Sequence, residues 1–384
     1  MQDKHLHIIS FDVPWPPNYG GVIDVFYKIR ALHAKGIKIH LHCIEYPGRG
    51  RAEQHLRPYC EELHYYPRKT GLLSALSLKP YIVISRRSKR LIENLLKDEH
   101  PILFEGLHSC YYLDDKRLSN RLRIYRESNI EHRYYFNLFK VCNNLFSRIY
   151  FLIASCKLRF YQNVLRHAGI MLCVSEKDTE YLRKHFPQNR VHYIPSFHPN
   201  EGVESKCGRG DYALYHGNIE VPENTHAAAF LINEVFNDGS IPLVIAGMNP
   251  PRRIRKLVGG KKNITLVSNP VDEKMFDLIR NAHVNILVTF QATGLKLKLL
   301  NVLYRGRFCL VNNKMLNGTG LDELCVTAND AAGLKEELHR LFGLVFTEEE
   351  ISQRERLLSS DYSNSVNADR LIRLVWEGED SGQA

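Results

Sequence analysis

Two runs of short apolar segments alternating with amphipathic stretches, parted by one polar linker, limit what this 384-residue chain can fold into. In the first run, HLHIISF (5–11), IKIHLHCI (37–44), ELHYYP (62–67), PILFEGL (101–107), RLRIYRES (121–128), GIMLCVS (169–175) and VHYIP (191–195) read as strands. The stretch after Gly21 repeats Val22, Phe26, Ile29 and Leu32 at helical spacing, and a long helical region is expected up to about residue 166. The second run is DYALYHG (211–217), IPLVIAG (241–247), NITLVS (263–268), VNILVTF (284–290) and RFCLVN (307–312), with helices expected over 224–236, 251–258, 272–281 and 295–305. Strands that alternate with helices and are apolar throughout belong in parallel sheets covered on both faces. The fold class is therefore α/β, with two doubly wound, Rossmann-like domains expected to face each other across a cleft. The boundaries fall at 1–199, a polar linker at 200–210, and 211–360. A return segment, 361–384, carries the stripe Ala368, Leu371, Ile372, Val375 and Trp376, expected to pack back on a domain surface. In such sheets ligands sit beyond the carboxyl ends of the strands, so chemistry is sought there.

A net charge of +10 points to an anionic environment: nucleotide, lipid headgroup or nucleic acid. Nine widely spaced cysteines, with no CxxC or Cys/His cluster along the chain, argue against structural zinc and a disulfide framework. They fit free thiols in a reducing compartment. The N-terminus enters a strand without a signal-peptide apolar region. The most apolar helical stretch, 148–161, is interrupted by Arg148, Lys157 and Arg159 and is shorter than the ~20 apolar residues of a membrane span. The expected location is cytoplasmic, with peripheral contact at the inner face of the membrane. The basic clusters SRRSKR (85–90) and RRIRKLVGGKK (252–262) read as solvated helix faces, and the aromatic, cationic region 136–161 as a helix pair or a membrane-facing surface.

Four strand ends hold candidate chemistry. The loop VPWPPNYGG ends in Gly20-Gly21 at a helix start, where bare amides suit a phosphate as well as a stiff turn. It matches neither a dinucleotide fingerprint nor a P-loop. His108 follows the strand ending in FEGL, where a neutral imidazole can hydrogen-bond or take a proton, or simply be satisfied structurally. Arg126, Asn129, Glu131 and His132 crowd together after the next strand, although Asn129 can equally cap the following helix. In the second run, Thr293-Gly294 opens a helix whose first turn carries Lys296 and Lys298. Lysines there oppose the helix dipole, which suits an anion held by dipole and ammonium together, or solvated lysines of no consequence.

Taken in order, PPNYGG, KGIKIHLHCI, EGLH, RESNIEHRYY, CVSEKDTEYL with IPSFHP, YHGNIEVPENTHAA, PLVIAGMNP, NITLVSNPVDEKMFDLIRNAHVNILVTF and GLKLKLLNVLYRG resemble the GT-B glycosyltransferases of the large family-4-like group. The resemblance covers nearly the whole chain. It implies a transferase, hexosyltransferase-like, that moves a sugar from a nucleotide-sugar donor to a hydroxyl of a glycan or lipid-linked acceptor in surface polysaccharide or glycoconjugate synthesis. It also implies no cofactor, no obligatory metal and retention of anomeric configuration. On this reading His108 and Glu131 are catalytic. Donor-binding falls to Gly20, Gly21, Gly217, Asn218, Asn269, Val271, Thr293, Gly294, Lys296, Lys298 and Asn301, and the acceptor side to Arg126 and Asn129. Many relatives carry a Glu-x7-Glu pair where this chain has Thr293 and Asn301, and an arginine and lysine where it has Asn218 and Glu223. Gly294, Lys296 and Lys298 match the G-x-K-x-K pattern of a subset, which would shift phosphate binding to the two lysines. Expected partners are the donor, the acceptor and an anionic membrane surface, with no nucleic acid. A nucleotide-binding protein of the same fold without transferase activity is the alternative; a nucleic-acid-binding protein and a sugar-nucleotide epimerase are minor ones.

Overall fold

The computed structural model describes residues 3–46, 48–71, 77–142, 144–290 and 297–378. They form two compact units, residues 3–198 with 362–378, and residues 199–290 with 297–361. Each unit is built on one sheet, and every strand pair in both sheets is parallel.

The first sheet comprises β1 (His5–Ser10), β2 (Lys38–Glu45), β3 (Glu62–Pro67), β4 (Ile102–Glu105), β5 (Arg123–Arg126), β6 (Ile170–Cys173) and β7 (Arg190–Tyr193), in spatial order β3-β2-β1-β4-β5-β6-β7. β4 and β6 are buried at every position, as two-sided helical cover requires. Side chains alternate between two cores: Leu6, Ile8 and Leu103 point to one, Ile9, Ile102 and Phe104 to the other. Each fully buried aliphatic side chain of this kind stabilises the fold by about 1.5–3 kcal/mol. The covering helices are α1 (Gly20–Ala34), α2 (Lys89–Leu95), α3 (Glu131–Val141), α4 (Leu145–Tyr161) and α5 (Glu176–His185).

The long helical region expected before residue 166 is two antiparallel helices. α4 restarts at Asn144, whose side-chain oxygen accepts from the Ser147 amide at 3.0 Å. The basic segment 85–99 is helical only over α2, and its start is internal: Ser85 and Arg86 are buried.

The second sheet comprises β8 (Ala213–Asn218), β9 (Leu243–Met248), β10 (Ile264–Ser268), β11 (Val284–Leu287), β12 (Phe308–Val311) and β13 (Val326–Thr327), in order β10-β9-β8-β11-β12-β13. Its helices are α6 (Pro222–Phe230), α7 (Arg252–Val258), α8 (Asp272–Asn281), α9 (Leu297–Arg305), α10 (Ala331–Gly343) and α11 (Glu348–Asp361). The two-residue β13 is too short to leave a periodic signal. Gly247 lies opposite Gly217 in the β8–β9 pair. A Cβ on Gly247 would lie 1.8 Å from the Gly217 carbonyl oxygen, so only glycine lets the strand ends approach this closely.

The return segment forms α12 (Asn364–Ile372), which packs on α1 in the first unit. Ala368 and Leu371 join the core of Val25, Phe26, Ile29 and Leu32, so the helix does pack back as its apolar stripe predicts. Asn364 secures the entry by donating to the His198 carbonyl at 2.7 Å and accepting from its amide at 3.1 Å. No helix among the described residues is long and apolar enough to cross a membrane.

Candidate functional site

Strand order reverses direction between β1 and β4 in the first sheet, and the carboxyl ends of these strands are where a doubly wound sheet opens to a ligand. The chain leaves β4 through Gly106, whose φ of +67° is a left-handed turn that glycine adopts without steric cost. A Cβ there would also lie 3.1 Å from His108 Nδ1. The turn places His108 against Phe11 at the end of β1, ring centroids 5.5 Å apart. His108 Nδ1 lies 3.7 Å from Glu131 Oε1 in the first turn of α3, beyond hydrogen-bond length, and among the described residues Nδ1 has no hydrogen-bond partner. The structure thus brings together the two residues assigned to catalysis.

Arg86 sits beside this pair. Its Nε donates to the Phe11 carbonyl at 3.0 Å, and its other nitrogens donate to the Ile82 carbonyl and the Tyr46 hydroxyl. It is 3% exposed, so the reading of 85–90 as a solvated face fails at this residue. Burial, helped by the positive charges of Arg86 and Arg68, holds the His108 imidazole well below its ordinary pKa and therefore neutral. Burial raises the Glu131 carboxyl to about 8 against the opposing pull of Arg86, so it keeps its proton at pH 7. Arg68 stacks on Tyr46 and Tyr81 and donates to Ser85 Oγ at 3.0 Å. Arg86, Arg68 and Gly106 escaped the sequence reading; the one available signal was the glycine in EGLH.

Arg126 does not reach toward an acceptor. It is 1% exposed, and it donates to Asp24 (2.9 and 3.2 Å) and to the Ile194 and Pro195 carbonyls (2.7 and 3.0 Å). Asp24 also takes Lys28 at 2.8 Å and the Phe197 amide at 2.8 Å, while Lys28 lies 2.8 Å from Glu105. Burial alone would raise the Asp24 carboxyl, but Arg126 and Lys28 outweigh it and hold Asp24 well below the usual carboxylate range. This four-charge cluster ties α1, β4, β5 and the segment after β7 together, so the acceptor-side assignment of Arg126 gives way to a structural one. Asn129 is half-buried before α3, but Ile130 is the N-cap and no side chain caps that helix. The capping alternative for Asn129 therefore fails.

The Pro/Gly loop is fixed by Arg49, which donates to the carbonyls of Val13 (2.8 Å) and Pro16 and to Asn18 Oδ1 (3.2 Å). Tyr19 donates to Asp12 at 2.7 Å. Gly20 and Gly21 begin α1, and a Cβ on Gly21 would meet the Phe11 ring at 2.6 Å. Gly21 therefore leaves room for the ring that abuts His108. Trp15, Pro16, Asn18, Arg49, Arg51 and His55 line a cavity of about 620 Å³ beside this loop.

In the second unit, Lys298 in the first turn of α9 donates to Asn224 Oδ1 at 3.1 Å and lies over the Tyr215 ring. Asn224 donates to the Asn218 carbonyl at 2.8 Å, so Lys298, Asn218 and Gly217 gather at the end of β8. Burial, with Lys298 adding, lowers the neighbouring His216 to about 3. Glu223 accepts from Thr289 at the end of β11. Asn269 (φ +52°) accepts from the Asn249 amide at 2.7 Å and donates its own amide to the Gly247 carbonyl at 2.9 Å. Val271 is exposed before α8. Asn301 faces elsewhere, accepting from Asn200 at 3.0 Å. Thr293, Gly294 and Lys296 lie outside the described residues. Asn224, His216 and Asn249 were missed, although the first two fall within the quoted YHGNIEVPEN stretch.

No family model matches the chain. An uncharacterized 44.6 kDa protein in the cps region of Klebsiella pneumoniae is 24% identical over 344 residues, covering 84% of this chain and 87% of its own. Solved structures align over nearly the full length at low identity. A TarM mutant from S. aureus, in complex with Fondaparinux, alpha-GlcNAc-glycerol and UDP, has TM-score 0.66 at 10% identity, covering 98% of this chain and 100% of its own. The UDP-forming α,α-trehalose-phosphate synthase of Burkholderia xenovorans, in complex with glucose-6-phosphate, has TM-score 0.63 at 11% identity, covering 97% and 99%. Medicago truncatula UGT71G1 complexed with UDP-glucose has TM-score 0.58 at 11% identity, covering 97% and 98%. With one seven-stranded and one six-stranded parallel sheet matched along nearly its whole length, the chain has the fold of the GT-B glycosyltransferases.

Proposed function

We propose that the protein is a glycosyltransferase that moves a sugar from a nucleoside-diphosphate donor to a hydroxyl of a glycan or lipid-linked acceptor in surface polysaccharide synthesis. The observation that carries this reading is the neutral His108 beside protonated Glu131 and Arg86, at the strand-order switch of a sheet belonging to this fold. The likeness to structures holding UDP and UDP-glucose supports a nucleotide-sugar donor, and the cps-region relative supports a capsular or other surface glycan.

The reaction breaks the bond between the sugar's anomeric carbon and the diphosphate oxygen, and the leaving diphosphate needs positive charge and N–H donors. Lys298, together with Lys296, supplies these in this reading without a metal, and Thr293 and Gly294 are donor contacts beside them. Gly217, Asn218, Asn269 and Val271 border the nucleotide, while Asn301, turned to Asn200, has no part in this reading. An uncharged His108 can hydrogen-bond the reacting sugar, with the protonated Glu131 beside it. Gly20 and Gly21, at the start of α1, are donor contacts in this reading, and the acceptor lies beside the Pro/Gly loop with Asn129 nearby. The α3–α4 hairpin exposes Leu145, Phe146, Ile149, Ile153 and Phe160 next to Lys140 and Arg148, which suits peripheral contact with an anionic membrane. Anomeric configuration is retained in this proposal.

A panel of nucleotide sugars tests it, with binding followed by calorimetry and transfer or hydrolysis by product release. One donor should bind and turn over, and His108→Ala should lower kcat about 10²-fold or more while leaving donor affinity within a few-fold. Binding of a nucleoside diphosphate with no turnover on any donor would support the non-catalytic alternative instead.

A further inference from the structure

Although no Cys/His cluster is visible along the sequence, sheet register assembles one. His5 and His7 on β1, His40 and His42 on β2 and His64 on β3 are spaced by two and so share one sheet face. Parallel pairing sets His7 beside His40 and His42 beside His64. His100, just before β4, stacks on His5 with ring centroids 4.5 Å apart.

The cluster has two parts. In the buried part every ring nitrogen of His7 and His42 is engaged: His7 Nδ1 with His42 Nε2 (2.8 Å), His7 Nε2 with both Asp98 oxygens (3.0 Å), and His42 Nδ1 with the Tyr66 hydroxyl (2.8 Å). The outer part is His5, His40 and His100, each offering a ligand nitrogen within 4.8 Å of the other two. His5 Nδ1 and His40 Nε2 are 2.9 Å apart, and His40 Nδ1 lies 3.3 Å from Glu62 Oε2.

We propose that His5, His40 and His100 form a binding site for one first-row divalent transition metal ion, of which Zn²⁺ is the representative. A tetrahedral ion with Zn–N bonds of about 2.0–2.1 Å sets its nitrogens about 3.3 Å apart. The His5–His40 separation of 2.9 Å is shorter than this and the other two are no more than 4.8 Å, so ring rotations complete the site. The ion takes the place of the proton now shared by His5 and His40. Three imidazoles suit Zn²⁺, Ni²⁺ or Cu²⁺ and not Mg²⁺ or Ca²⁺. Glu62 stands where a carboxylate orients a ligating histidine through its other N–H. His5 and His100 are part-exposed, which gives the ion entry and leaves its fourth position to water. The site lies near the amino ends of β1 and β4, at the opposite end of these strands from His108, so the ion clips β1, β2 and the β4 entry together and takes no part in sugar transfer.

The test uses untagged full-length protein stripped with chelator and titrated with Co²⁺, then Zn²⁺. One equivalent of Co²⁺ should give visible d–d absorption that Zn²⁺ abolishes, and Zn²⁺ should raise the Tm. His100→Gln, outside any strand, should weaken Zn²⁺ binding at least about tenfold and remove the absorption and the Tm shift, with His5→Gln doing the same. His64→Gln should retain all three. Absence of absorption and of binding heat in the unsubstituted protein, or binding unchanged in His100→Gln and His5→Gln, overturns the proposal.

Discussion

Replacing Glu131 by glutamine makes the burial of this carboxyl measurable. The group is 4% exposed and its pKa rises from 4.5 to about 8 on folding. An acid that holds its proton more tightly when folded leaves the folded state with more bound protons than the unfolded one. Stability is then full below pH 4.5 and falls as pH climbs toward 8. Each pH unit in that window costs the folded state about 1.4 kcal/mol, or about 5 kcal/mol by pH 8. Glu131→Gln has the same shape and no proton to lose. Urea unfolding of both proteins at pH 5, 6, 7 and 8 isolates the effect, because His108 and every other titrating group are present in both. The two stabilities should lie close at pH 5 and diverge steadily, with the glutamine variant the more stable by several kcal/mol at pH 8. Parallel pH profiles would refute the reasoning and mean that water or a cation already compensates the carboxylate. Should the variant also lose transfer activity while gaining stability, Glu131 is held in an unfavourable state for the sake of His108.

Arg126→Met should destabilise the protein by about 3–5 kcal/mol, since it leaves Asp24 buried without its main partner; urea unfolding checks this, and donor affinity per folded molecule should not change. Lys298→Ala should weaken nucleoside-diphosphate binding about tenfold to a hundredfold, the worth of one hydrogen bond to a charged group, read by calorimetry. Phe146→Asp with Phe160→Asp should abolish co-sedimentation with anionic vesicles at low salt, each exposed phenylalanine supplying about 1.5–3 kcal/mol on burial. Unchanged sedimentation would remove the α3–α4 hairpin as the membrane contact.

The alternation of apolar strands and amphipathic helices was legible because parallel strands are apolar on both faces, and strand ends pointed to His108, Glu131 and Lys298 as residues worth following. Three things were hidden for physical reasons. A basic run reads as solvated, yet Arg86 is drawn inside by two carbonyls and a tyrosine hydroxyl, which no local pattern announces. Arg126 looks like a ligand-binding residue from its strand-end position, but its partners Asp24 and Ile194 are about 100 and 70 positions away. The histidines at 5, 7, 40, 42, 64 and 100 are scattered along the chain and meet only through strand register. Period-two spacing on β1 and β2 was in plain view; which strands would be neighbours was not.

The packing of α12 on α1 also has a consequence for how the protein comes into being. The first unit needs Ala368 and Leu371 to close the core that Val25 and Ile29 begin, and some 160 residues of the second unit intervene. At a synthesis rate of about 5–20 residues per second, the nascent first domain waits roughly 10–30 s with that apolar face open. A chain released before residue 364 would never close it. Ribosome-bound intermediates of this length should therefore be the species that chaperones hold, and early termination should cost the amino-terminal domain, far along the sequence from the missing residues.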